Sequence, residues 1–208
     1  IVLVNYSCSE ERASWIKKIR EIRTQRKLLL LPTEASQLIC SLKATEKIDG
    51  DIAEVGVAYG ASAKLLLQYS RNKKIHLFDT YEGLPVPTKK DEGSKLVLKG
   101  GEFKCSLENV KNFLSSSRCK YYKGFFPETA SELSEKKFSF VHLDADLYES
   151  TLEGLRFFYP RMTKGGIIIS HDYPYLKGVP KAFEEYFSDK NTPFIELAGG
   201  YQCMVIKI

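Results

Sequence analysis

A chain of 208 residues, 43% hydrophobic and 27% charged, is long enough to bury one substantial core and short for two. Its net charge of +5 is mild. Much of the excess comes from Lys17, Lys18, Arg20, Arg23, Arg26 and Lys27, spread along one predicted helix without interleaved aromatic residues, which argues against a nucleic-acid or membrane partner. No apolar run approaches the length of a membrane span, and the opening Ile1–Tyr6 lacks the basic flank and long apolar segment of a signal peptide. The five cysteines are odd in number and form no CxxC pair, which fits a reduced, cytoplasmic setting; Cys40 and Cys203 lie in apolar contexts and read as core.

In chain order, a helix is expected from about Ser9 to Arg26, where Trp15, Ile19 and Ile22 recur at helical spacing. A second begins near Thr33, with Thr33 as its cap and Ala35, Leu38, Ile39 and Leu42 as its buried stripe. These two helices are expected to cover one side of the sheet or of the site. Asp51–Val57 reads as a strand, Ala61–Ser70 as a helix, and Lys74–Phe78 as a strand ending at Asp79. Ser106–Leu114 reads as a helix capped by Ser106, Arg118–Lys123 as a strand and Pro127–Leu133 as a short helix. Phe138–Leu143 and Gly166–Ser170 are apolar runs typical of buried parallel strands, joined by a helix carrying Leu152, Leu155 and Tyr159. Val179–Phe187 is a further helix, and the terminal PFIELAGGYQCMVIKI reads as two strands around Gly199-Gly200.

Strands and helices in alternation predict an α/β fold: a doubly wound, seven-stranded, mostly parallel sheet with helices on both faces and one antiparallel strand. Residues 1–208 are read as one domain, with 1–47 as a helical cover and 48–208 as the core. The longest loop, Leu84–Phe103, carries Pro85, Pro87, Gly93, Gly100 and Gly101 together with Lys89, Lys90, Lys95 and Lys99. A loop of this length beyond a strand tip is expected to be a lid.

Chemistry concentrates at the strand ends. Asp144 and Asp146 follow the Phe138 strand, and His171 and Asp172 follow the Gly166 strand. In open parallel sheets ligands bind beyond the carboxyl ends of the strands, so these groups should share one crevice. Three carboxylates there repel one another, or raise a pKa, unless a cation joins them. The first strand ends in Glu54-Val55-Gly56-Val57-Ala58-Tyr59-Gly60, a tight turn that is neither GxGxxG nor a P-loop and suits a ligand with a small charged tail. Asp79, at the next strand tip, can accept hydrogen bonds from both hydroxyls of a ribose. His76 and His142 precede these acids and are expected to pack within the sheet, while Tyr148, Glu149 and Ser150 are expected to start a helix.

These residues resemble the S-adenosylmethionine-dependent methyltransferases of the Rossmann-like class, and more narrowly the macrocin O-methyltransferase (TylF-like) family. The carriers are GDIAEVGVAYGASA (Gly50–Ala63), HLFDTYEGLP (His76–Pro85), GFFPETA (Gly124–Ala130), VHLDADLYEST (Val141–Thr151) and GGIIISHDY (Gly165–Tyr173). The resemblance implies that Glu54, Gly56 and Gly60 line the methionine end of S-adenosyl-L-methionine. Asp79 would hold the ribose, Tyr81 and Glu82 would close the adenosine pocket, and Val57 and Thr80 would also bind the cofactor. It implies that Asp144 and Asp172 bind a divalent cation, Mg²⁺ or another, with Asp146 as general base. The family carries an acid where His171 stands, so a nitrogen donor enters the ligand set and admits a softer metal.

The reaction implied is O-methylation of a hydroxyl on a small molecule, a sugar or a glycosylated natural product. A cation lowers the pKa of such a hydroxyl, and positioning supplies the in-line geometry. The alternative is a glycosyltransferase holding a nucleotide sugar through a metal on Asp144-Ala145-Asp146; the glycine turn and Asp79 oppose it. A nicotinamide oxidoreductase is opposed by the missing GxGxxG. The amphipathic first helix is compatible with a homodimer.

Overall fold

Runs of apolar, β-branched residues too short for core helices pair edge to edge when helices of matching amphipathicity follow each of them. The computed structural model describes residues 10–94 and 96–208. The expected helix start at Ser9, the Ile1–Tyr6 opening, Cys8 and Lys95 lie outside the described residues. Two helices come first, α1 (Glu10–Gln25) and α2 (Pro32–Ala44). The chain then runs β1 (Asp51–Val55), α3 (Ala61–Tyr69), β2 (Ile75–Asp79), α4 (Leu107–Leu114), β3 (Cys119–Lys123), β4 (Phe138–Leu143), α5 (Tyr148–Phe158), β5 (Met162–His171), α6 (Gly178–Phe187), β6 (Phe194–Leu197) and β7 (Gln202–Ile206).

Among the described residues these strands form one seven-stranded sheet in the order β3-β2-β1-β4-β5-β7-β6. β7 runs antiparallel to both β5 and β6, and the other strands share one direction. The sheet grows outward from β1 to β3 on one side and restarts at β4 on the other. The β1–β4 junction is therefore the switch point where doubly wound sheets open a crevice. Register brings the ends into line: Val55 pairs with Phe78 and with Leu143, and Leu143 with Ser170. The carboxyl tips of β2, β1, β4 and β5 finish along one edge.

Each face of the sheet has its own core. Trp15, Ile19, Ile22, Leu38, Ile39, Leu66 and Phe140 pack on the α1–α3 side. Val55, Phe78, Val141, Leu155, Phe158 and Phe183 pack on the α5–α6 side. Fully burying each of these large apolar side chains contributes roughly 1.5–3 kcal/mol, so the sheet edge is held rigidly from both sides.

Four expectations change. Thr33 does not cap α2: Pro32 already occupies the first helical position, and the free amide of Leu31 is taken by Glu34 Oε2 at 2.6 Å. Thr33 instead donates from Oγ1 to the carbonyl of Gly199. The short helix expected from Pro127 is a 3₁₀ turn, Glu128–Leu133. β5 starts earlier than its apolar run, because Met162 pairs with Phe138 before the register shifts to bring Ile167 opposite Phe140. Cys203 is fully buried, but Cys40 is only half-buried beside the α1–α3 core.

Candidate active site

A cavity of about 320 Å³ opens at the aligned strand tips. Its wall includes Gly56, Val57, Ala58 and Tyr59 after β1, Asp79 and Thr80 after β2, Asp144 and Asp146 after β4, and His171 and Asp172 at the end of β5. The turn after β1 is tight for a specific reason. A Cβ on Gly56, whose φ is +85°, would fall 1.8 Å from the carbonyl oxygen of Asp144. The β1 and β4 tips therefore touch through backbone, which only glycine permits.

Asp79 is built into this turn. Its Oδ2 accepts from the amides of Val57 (2.7 Å) and Ala58 (2.9 Å), and its Oδ1 accepts from Tyr81 (2.6 Å). Two strand tips are thus tied by one carboxylate, which retains acceptor capacity on Oδ1. Three residues expected on the cofactor wall stand elsewhere. Glu54 is fully buried, because in the β1–β4 register it lies opposite His142 and takes a 2.8 Å hydrogen bond with His142 Nδ1. Burial pushes its pKa up against the pull of His142. Tyr81 is buried in the α1–α3 core, its hydroxyl without a partner among the described residues, and burial together with Asp79 pushes its pKa up. Gly60 starts α3 in a left-handed conformation, packed against Val110.

The acid end is a side-chain cluster. His171 Nδ1 lies 3.1 Å from Asp144 Oδ1 and 3.1 Å from Asp172 Oδ2, and Nε2 lies 3.1 Å from Glu34 Oε2. Ionised carboxylates only accept, so the ring donates from both nitrogens as imidazolium. Burial opposes that charge, but Asp144, Asp172 and Glu34 outweigh it and hold the His171 pKa well above its usual value. Burial likewise opposes charge on Asp144, and His171 overcomes it to keep that carboxyl low. Asp146 goes the other way: burial, then Asp172 and Asp144 beside it, raise its pKa well above the carboxylate range. Asp146 and Asp172 both adopt positive φ, 59° and 62°, as do Ala58 and Tyr81 at the neighbouring tips. Such backbone states gather where a site over-determines the chain.

Asp144, His171 and Asp172 each offer a donor atom within 4.8 Å of the others. A divalent ion with bonds of about 2.1 Å at right angles spaces neighbouring donors about 3 Å apart, close to the separations measured around Nδ1. Two hard oxygens and one imidazole nitrogen therefore fit a divalent cation, which would displace the Nδ1 proton on binding.

Sequence reasoning missed two residues. Glu34 is buried, and its partner His171 lies 137 positions away, though a glutamate at the third helical position after a proline is a capping signal. Asp91, in the long loop, accepts from the first amide of α5 (Tyr148, 2.7 Å) and so pins the loop to the helix that follows Asp146. Ser94 Oγ accepts from Lys177 just before α6. Leu84, Pro85, Leu96, Glu102 and Phe103 of the same loop line the cavity, as do Lys27–Leu30 between α1 and α2. His76 and His142 are buried among sheet partners, and α5 begins at Tyr148, as expected.

Residues 35–196 match the family model described as Macrocin-O-methyltransferase (TylF). A Streptomyces olivaceus protein, 8-demethyl-8-(2,3-dimethoxy-alpha-L-rhamnosyl)-tetracenomycin-C 4'-O-methyltransferase, is 29% identical over 140 residues, covering 61% of this chain and 54% of the relative. Demethyldecarbamoylnovobiocin O-methyltransferase of Streptomyces niveus is 26% identical over 153 residues, covering 67% and 58%. The chain thus spans little more than half the length of these curated relatives. The solved structure of CalS11, a calicheamicin methyltransferase, superimposes with a TM-score of 0.71 over 96% of this chain and 93% of that one. At 19% identity this likeness shows the Rossmann-like α/β fold alone. Among the described residues no helix is long and apolar enough to cross a membrane.

Proposed function

The chain belongs to the macrocin-O-methyltransferase (TylF) family, and from that premise we propose that it transfers a methyl group from S-adenosyl-L-methionine to a hydroxyl of a sugar or glycosylated natural product, with a divalent cation. One observation carries the reading: the glycine turn with Asp79 and the Asp144–Asp146–His171–Asp172 cluster open into the same cavity. A methyl donor and an activated oxygen must lie within one bond-forming distance, and a shared cavity is the precondition.

In this reading Gly56, Val57 and Thr80 border the donor, and the remaining acceptor capacity of Asp79 takes a ribose hydroxyl. Asp144, His171 and Asp172 would hold the cation. When bound, the cation lowers the pKa of the acceptor hydroxyl and fixes its oxygen. The acceptor oxygen would bond to the methyl carbon as the carbon–sulfur bond breaks, the bonding pair remaining on sulfur. The hydroxyl proton would go to Asp146, which follows β4 beside Asp144 and lines the same cavity. Leu28–Leu30 and the Leu84–Phe103 loop border the space left for the acceptor. In this reading residues 48–208 form the catalytic core, and α1 and α2, the described helices of 1–47, its cover. Among the described residues Cys40, Cys105, Cys119 and Cys203 form no disulfide. None of the proteins named above is a glycosyltransferase.

The test is calorimetric binding of S-adenosylmethionine against a uridine diphosphate sugar, followed by transfer of a labelled methyl group to a panel of glycosylated acceptors with and without Mg²⁺ or Mn²⁺. Binding of the first ligand alone, with metal-dependent transfer, is the expected result. Selective binding of the nucleotide sugar would reverse the assignment.

A further inference from the structure

The mechanism above makes no use of Glu34, yet no surface role explains it. It is 1% exposed, on the first turn of α2, and each of its oxygens is spoken for. Oε1 accepts from the Tyr201 amide at 2.7 Å, and Oε2 accepts from the Leu31 amide at 2.6 Å. Oε2 is also 3.1 Å from His171 Nε2. The β6–β7 turn is moulded to it: a Cβ on Gly200 would fall 2.6 Å from Glu34 Cγ. Two backbone amides on separate elements therefore hold this carboxylate still against one ring nitrogen.

We propose that Glu34 is a positioning residue that presents His171 Nδ1 to a metal, and that this pair turns the site toward nitrogen-accepting divalent ions such as Mn²⁺ in preference to Mg²⁺. The proposal rests on the functional reading of the Asp144–His171–Asp172 cluster and extends it to the metal's identity. A carboxylate that already accepts two amide hydrogens can only accept from the imidazole, so Nε2 keeps its proton and Nδ1 is the nitrogen available as a ligand. The ring is also fixed in direction, because Nδ1 lies equally 3.1 Å from Asp144 Oδ1 and Asp172 Oδ2. A ligand set of two carboxylate oxygens and an imidazole nitrogen suits manganese, iron or zinc better than magnesium, which prefers oxygen.

The measurement is made on the intact chain with MnCl₂ and MgCl₂, without donor or acceptor. Electron spin-echo modulation of bound Mn²⁺ should carry the signature of a directly coordinated ¹⁴N, which is lost in His171→Asp. Calorimetry should give Mn²⁺ about tenfold or more tighter than Mg²⁺ in the wild type, with the margin narrowed in His171→Asp. Glu34→Gln should weaken Mn²⁺ binding about tenfold. In the His171→Asp background the same substitution should change it by less than about twofold, since the coupling runs through the ring. An equal loss in both backgrounds would mean that Glu34 merely holds α2 and the β6–β7 turn, and would overturn the positioning role. Absence of nitrogen coupling in the wild type would overturn the metal preference without any variant. Failure of S-adenosylmethionine to bind, with the nitrogen coupling present, would remove the functional reading and leave the positioning role of Glu34 standing.

Discussion

The two ends of the cavity are built from different materials. At the β1–β2 end the wall is backbone: a glycine turn and three amides gathered by one carboxylate, Asp79. At the β4–β5 end it is side chain: three acids and an imidazole, with His171 lying between Asp144 and Asp172. A backbone wall tolerates many side chains but no added Cβ at its closest point. A side-chain wall tolerates backbone variation but no change of charge. The first kind of site recognises a ligand by shape and amide hydrogen bonds, and the second controls protons and cations.

The contrast is broken most completely at the acid end. Asp144→Ala removes the carboxylate that His171 holds and that the proposed cation would share, and we expect turnover to fall below detection while the S-adenosylmethionine dissociation constant changes little. Parallel measurement of turnover and cofactor binding checks this; loss of both together would mean that the ends are not separable. Gly56→Ala attacks the point where they touch. The new Cβ meets the Asp144 carbonyl and the backbone must leave a left-handed conformation, so unfolding in denaturant should be easier by about 3 kcal/mol. Cofactor and metal binding should both suffer.

Asp79→Asn keeps the shape of the turn residue but removes its charge and half its acceptor capacity. A hydrogen bond to a charged group contributes about 1.5–3 kcal/mol, so cofactor binding should weaken by one to two orders of magnitude while Mn²⁺ binding stays within about twofold. The smallest effect is expected from Asp91→Ala, which uncaps α5 and frees the loop from it. A lost cap costs about 1 kcal/mol, readable as a lower melting temperature. Acceptor KM should rise more than cofactor affinity falls, because the loop borders the acceptor space.

The same contrast explains what could be read without coordinates. The alternation of Phe138–Leu143 and Gly166–Ser170 with helical segments carried the sheet and its direction, since burial on both faces writes itself into continuous apolar runs. Asp144, Asp172 and His171 were legible because acids at the ends of such runs have nowhere to go but the crevice. Glu54 and Tyr81 lie off the cavity wall because one-residue alternation along a strand or turn decides which face a side chain takes, and a motif does not record it. Glu34 was invisible for a different reason. Its capping role is local, but its tie to His171 exists only once α2 and β5 have packed together.

The most direct measurement is a crystal structure of the chain soaked with S-adenosylhomocysteine and Mn²⁺. We expect the nucleoside product along the Gly56–Tyr59 turn with its ribose at Asp79, its sulfur facing the acid cluster, and a manganese ion bound by Asp144, His171 Nδ1 and Asp172 within the same cavity. Product bound elsewhere, or manganese absent from those three residues while the product is in place, would contradict a shared donor–acceptor cavity.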